Sequence, residues 1–128
     1  MNQLSKQFIF YGSIFMATAV AFGAFGAHGL KHMLSKEMLA VWHTGVEYNF
    51  YHALGLFAVA FVAQFNQSKK IKWAGYLMIF GIILFSYSLY ILSITNLLWI
   101  GAITPIGGTG FIVAWVLLAL GVREKSLA

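Results

Sequence analysis

From Trp73 to Val122 the chain runs 50 residues without one acidic or basic side chain. As a single straight helix that stretch would extend about 75 Å, whereas the hydrocarbon core of a bilayer is about 30 Å thick. The stretch must fold back once. The polar break near its middle is Thr95-Asn96, which predicts two spans over about 73–94 and 98–122. So short a connection makes them antiparallel neighbours.

The remaining apolar runs supply two more crossings. Phe8 to Leu30 carries no formal charge, and from Met38 to Ser68 the only charge is Glu47, which predicts spans over about 8–30 and 42–65. Composition agrees: 61% of residues are hydrophobic and only 9% charged, against about a quarter charged in soluble domains. Ten-residue alternating segments, the signature of membrane β-barrels, are absent from the sequence. The expected fold class is therefore all-α, an integral membrane four-helix bundle formed by one four-span domain over residues 1–128. The first apolar run is longer than a signal-peptide core of about 7–15 residues, so it is expected to remain as a helix. The absence of cysteine excludes a disulfide scaffold and thiolate chemistry.

Basic residues fall between the apolar runs rather than in one patch, so the net charge of +5 reads as a topology signal and no nucleic-acid partner is expected. Lys6, Lys69, Lys70, Lys72, Arg123 and Lys125 lie on the side of the N-terminus, the second loop and the C-terminus, and only Lys31 and Lys36 lie opposite. That asymmetry predicts cytoplasmic termini in a multi-pass protein of the cell (inner) membrane. Trp42, Trp73 and Trp99 fall near span ends, where interfacial anchors belong. Lys69-Lys70-Ile71-Lys72 reads as a retained cytoplasmic loop or an anionic-lipid contact.

Close packing and interhelical hydrogen bonds must hold such a bundle together in lipid. Ala19, Gly23 and Ala27 recur every four residues in the first span, beside a stripe of Ala17, Ala21, Ala24 and His28. Small-residue faces of this kind suit a partner helix within the chain or in a second copy, a homo-oligomer. The second span carries Gly45, Tyr48, His52 and Gly55 at helical spacing, and the third offers Ser86, Tyr90 and Ser93. Pro105, followed by Gly107 and Gly108, is expected to kink or break the fourth.

Polar residues inside spans are the functional candidates. Measured from Trp42, Glu47 lies about 7–8 Å deep and His52 about 15 Å deep. Ser86, Tyr90 and Thr104 fall in the same outer half, with His28 at its boundary. A cluster of His28, Glu47, Tyr48, His52, Ser86, Tyr90 and Thr104 is thus expected, beside the break at Pro105, Gly107 and Gly108. His52 has two readings, a neutral imidazole joining helices or a group for ligand or proton chemistry. Glu47 is either a functional carboxylate or the partner of His43 one turn earlier. No metal-ligand spacing, phosphate loop or nucleophile arrangement is present, so no metal, cofactor or catalytic residue is assigned.

Several of these residues also form a pattern. Gly23-Ala24-Phe25-Gly26-Ala27-His28-Gly29-Leu30, Trp42 with Tyr48 and His52, Phe85-Ser86, Ser88-Leu89-Tyr90 and Gly101-Ala102-Ile103-Thr104-Pro105-Ile106-Gly107-Gly108 extend over nearly the entire chain. This pattern resembles the bacterial membrane family catalogued as domain of unknown function 423, similar to the animal transmembrane protein 256 group. The family usually has glutamine where Asn49 stands and glycine where Tyr87 stands, and Glu47 is not a regular part of its pattern. The resemblance implies a four-span inner-membrane protein and brings no activity with it. Function expectations are therefore three: a pocket for a membrane lipid or small amphipathic ligand, an accessory subunit whose cluster is interhelical glue, and a transporter of a small solute or protons.

Overall fold

A computed structural model describes residues 1–124, so Lys125 lies outside the described residues. The described chain is helical and contains four spans long and apolar enough to cross a membrane: Gln3–His28, Lys36–Ala63, Lys69–Thr95 and Leu98–Val122. Each start is explained locally. Helix α1 (Gln3–His28) is capped by Asn2, whose side chain accepts from the Ser5 amide. Helix α2 (Lys36–Ala63) is capped by Ser35 and has Glu37 in its first turn, where the helix dipole favours an acid. Helix α3 (Lys69–Gly81) starts at a Ser68 cap.

The third span changes helix type partway. A π-helical turn over Ile82–Tyr87 joins α3 to α4 (Ser88–Thr95). The helix stops at Asn96, which takes the left-handed conformation with φ 58°. Asparagine tolerates that conformation better than most residues, which suits it to end a helix. The chain then forms a 3₁₀ segment, Leu98–Ala102, before α5 (Thr104–Val122).

This arrangement corrects the expectation for Pro105. It lies in the first turn of α5, where a missing amide hydrogen costs nothing because no earlier helical carbonyl needs it. The break is the change of helix type ahead of Pro105. Gly107 and Gly108 sit within regular helix, where Gly107 serves close packing. A Cβ on Gly107 would lie 2.5 Å from the Phe85 amide nitrogen, so α5 touches the backbone of the π turn there. From the opposite side, Gly45 of α2 admits the Ser86 carbonyl and the Tyr90 ring.

Helix α1 lies along α2, α5 lies along α3 and the π turn, and α2 packs against the third span between them. The backbones of α1 and the third span, and of α2 and α5, stay farther apart, and side chains bridge them. Two lateral grooves result. The half of the bundle that carries Asn2 and Gly121, here the terminal half, has an apolar core of Phe8, Leu56, Val59, Ile71, Met78 and Ile82. Its end is fastened by polar clasps. Asn2 donates to the Ala63 carbonyl (2.8 Å), Ser5 to Ala60 (2.8 Å) and Asn66 to Gly121 (2.9 Å). Lys70 pairs there with Glu124.

The small residues of α1 divide between two surroundings. Ala19 and Gly26 are buried, and Gly23 packs near Val46 of α2. Ala17, Ala21, Ala24, Ala27 and His28 face outward. Trp73 and Trp99 are exposed, but Trp42 is only 2% exposed. Trp42 is therefore not an interfacial anchor. Its indole stands where a Cβ on Gly26 would be and donates to the Phe22 carbonyl at 2.9 Å, so it fixes α2 to α1.

Gly107→Ala is expected to lower stability by about 1–3 kcal/mol or more, since the new methyl meets backbone that cannot move aside. Gly101→Ala, which meets only Leu92 at 3.9 Å, is the matched control. Thermal unfolding in one detergent should separate the two variants.

Candidate functional site

The polar side chains of the far half, opposite the clasps, gather in three separate places. The first joins three spans around Asn49, which is fully buried. Its amide nitrogen donates to the Tyr90 hydroxyl at 3.0 Å and to Thr18 Oγ1 at 3.3 Å. Thr18 gives its own proton to the Phe15 carbonyl (2.9 Å), so Tyr87, 3.2 Å away, must donate to Thr18. Asn49 Oδ1 and Ser86 Oγ are buried and have no partner among the described residues. Above this network, α1 and α4 diverge around a groove of about 530 Å³. Phe22, Phe25, Ile91 and Ile94 wall it, Trp42 closes its back, and Thr18, Tyr87 and Tyr90 reach its lining.

The second place centres on His52, which is 4% exposed. Its Nδ1 lies 2.8 Å from the Tyr48 carbonyl, which can only accept, so Nδ1 carries the proton. Nε2 then accepts from the Trp115 indole at 3.0 Å. The imidazole is neutral in this arrangement, its two nitrogens are both used, and it stacks on Phe111 with centroids 3.4 Å apart. A second groove of about 580 Å³ runs alongside, between α2 and α5, with Phe85 of the π turn at its back.

The third place is small. Ser88 donates to the Phe85 carbonyl, so Thr104, at 2.7 Å, donates to Ser88. This bond ties the start of α5 to the third span.

The structure thus divides the single cluster that the sequence suggests. Tyr90 belongs with Asn49, His52 with Trp115 and Thr104 with Ser88, while Ser86 is buried alone. His52 faces α5 rather than the hydroxyls of the third span. The reason is helical geometry: Asn49 and His52 are three residues apart, about 60° round the helix. That angle directs one toward the third span and α1, and the other toward α5. His28 and Glu47 are exposed and belong to none of the three groups. Glu47 and His43 form no ion pair, the pair among the described residues being Lys70–Glu124. Among those residues no group of three His, Cys, Asp or Glu could hold a metal.

Thr18, Trp115 and Phe111 were not among the expected site residues, because depth along single helices does not show which side chains of different spans meet. Better signals were a lone threonine within an apolar helix and an indole N–H deep in the fourth span, since each needs a hydrogen-bond partner in lipid.

A family model described as "Protein of unknown function (DUF423)" matches residues 22–108, a segment holding Trp42, Asn49, His52, Tyr90 and Thr104. The chain belongs to this family. It is 52% identical over 116 residues to the UPF0382 membrane protein YwdK of Bacillus subtilis (strain 168), covering 90% of this chain and 94% of that relative. It is 48% identical over 116 residues to a UPF0382 membrane protein of Staphylococcus saprophyticus, covering 91% of this chain and 96% of the relative. No solved structure matches this DUF423 chain. Names and spans agree on a small multi-pass membrane protein.

Trp115→Phe keeps the aromatic bulk and removes the donor to His52. It should destabilise the bundle by about 0.5–2 kcal/mol, the range for one interhelical bond or one orphaned acceptor. Denaturant unfolding in micelles measures the loss.

Proposed function

We propose that this protein binds an amphipathic lipid in the groove between α1 and α4. The observation that carries the reading is the composition of that groove. Its walls are almost wholly apolar, its volume of about 530 Å³ lies within the usual range for ligand pockets, and Thr18, Tyr87 and Tyr90 are among the residues that line it. Tyr90 accepts from Asn49, and its own proton has no acceptor among the described residues. An acyl or isoprenoid chain would fill the walls and an oxygen of the ligand would take the Tyr90 proton. With cytoplasmic termini, the orientation that the lysine and arginine distribution favours, this groove opens to the outer leaflet.

Transport is less well supported. The terminal half is filled by Phe8, Leu56, Val59, Ile71, Met78 and Ile82, and both nitrogens of His52 are already engaged.

Ile91→Trp should fill the groove from α4 while leaving the Asn49 bonds in place. In purified protein, wild type should gain about 5 °C or more in Tm with at least one phospholipid of a headgroup panel at saturation. The variant should lose most of that gain. A wild-type Tm indifferent to the whole panel would sink the reading.

A second reading, an accessory subunit, is favoured by one observation. Glu47 is exposed on the outside of the second span, one turn from exposed His43, although ionisable residues in spans usually face protein. The chain contains no cysteine, so Glu47→Cys provides a single cross-linking point. Labelled there with a maleimide-linked benzophenone and irradiated in native membranes, the variant should form a defined larger species if protein covers that face, and remain monomer if lipid does.

A further inference from the structure

Helix α3 turns one face away from the bundle at the terminal end. At about 100° per residue, Lys69, Lys72, Trp73, Tyr76 and Phe80 fall within an arc of about 100°, opposite the buried Ile71, Ala74 and Met78. Lys69, Lys72, Trp73 and Phe80 are exposed. Tyr76 is half-buried, because its hydroxyl donates to Gln7 of α1 at 3.4 Å. Its ring stands edge-on to the Trp73 indole with centroids 5.8 Å apart.

The character of this stripe changes steadily along the helix axis. The lysines stand in the first turn, and Trp73, Tyr76 and Phe80 lie about 6, 10 and 16 Å below Lys69. The headgroup and interfacial layer on one side of a bilayer is about 5–7 Å thick. The step from Lys69 to Trp73 therefore matches the step from phosphate to acyl chain, with the indole where amphipathic rings settle. A phospholipid lying along the stripe would meet cations, then a ring N–H, then apolar surface.

Charge selects the kind of phospholipid. Lys70 stands beside Gly121 of α5 and pairs with Glu124, whereas Lys69 and Lys72 have no partner among the described residues. The indole N–H of Trp73 has no acceptor among them either. Glu37 and Glu47, the other two acids of the chain, lie on α2 in the far half. The stripe thus presents two free cations and a third donor with no carboxylate beside them. Helix α3 also lacks an acid in its first turn, so its dipole opposes the lysines placed there. A bound anion would relieve that opposition.

We propose that this face of α3 binds an anionic phospholipid. Its phosphate lies between Lys69 and Lys72, its glycerol oxygens lie within reach of the Trp73 indole, and a chain runs along Tyr76 and Phe80. The site is at the opposite end of the bundle from the groove between α1 and α4, and it stands whether or not that groove binds lipid.

The experiment places the full chain in phosphatidylcholine vesicles containing rising mole fractions of dibrominated phosphatidylglycerol, whose bromines quench an indole on contact. Each protein is paired with its Trp73→Phe counterpart, so the difference in fluorescence reports Trp73. Half-quenching of wild type is expected at a mole fraction at least threefold lower than with dibrominated phosphatidylcholine. The double variant Lys69→Gln, Lys72→Gln should lose that preference. Lys6→Gln with Arg123→Gln removes the same charge at the same end and should keep it. Equal quenching of wild type by the two lipids overturns the proposal, as does a preference that survives Lys69→Gln, Lys72→Gln. Equal loss in the two double variants overturns it too, since that is diffuse attraction to a charged surface. A particle of twice the protein mass with Trp73 shielded from both brominated lipids would assign the face to a second copy instead.

Discussion

Everything in this bundle depends on the close approach of backbones to the middle of the third span. Apolar surface gives helices no reason to leave lipid for one another, so association must come from contact and from hydrogen bonds. Gly45 on one side and Gly107 on the other let α2 and α5 reach the backbone of the π turn. A side chain at either position would hold the helices apart. The π turn itself, one of the departures from α geometry common at functional sites, sets the directions of Phe85, Ser86 and Tyr87. Phe85 backs one groove and Tyr87 lines the other.

The two halves of the molecule solve the problem of lipid differently. In the terminal half, large apolar side chains interlock and the polar groups are confined to clasps at the end, such as Asn66 on the Gly121 carbonyl. In the far half, polar groups lie within the spans and most are consumed in pairs between helices, as Thr104 is by Ser88. A buried pair of this kind costs little compared with an orphan. Attention therefore falls on what remains unpaired: the Tyr90 proton, Asn49 Oδ1, Ser86 Oγ and the hydroxyls of Tyr48 and Tyr51.

The architecture was legible because lipid imposes it. A charge-free stretch too long for one crossing had to turn, and Asn96 is the residue best suited to do so. The paired identities were not legible. Trp42 looked like an interfacial anchor because of its position near a span end, yet Gly26 on another helix made room for it inside. Pro105 looked like a kink because the fourth apolar run is continuous, whereas a 3₁₀ segment ahead of it turns proline into a favourable starting residue. His52 drew notice as the deepest imidazole, but its partner is an indole 63 positions later, and spacing along a chain does not report rotation between helices.

Openness to the side follows from the same contacts. With α1 held to α2 and α5 held to the third span, the outer helices have no reason to close over the centre, and each leaves a slot beside it. Helix α2 forms part of both slots. Trp42 backs the one toward α1, and His52 stands in the other, bonded to Trp115 of α5. Asn49 lies between them, bonded to Tyr90 and Thr18. Both openings face lipid rather than water, so a molecule reaching either site would arrive by lateral diffusion within the bilayer.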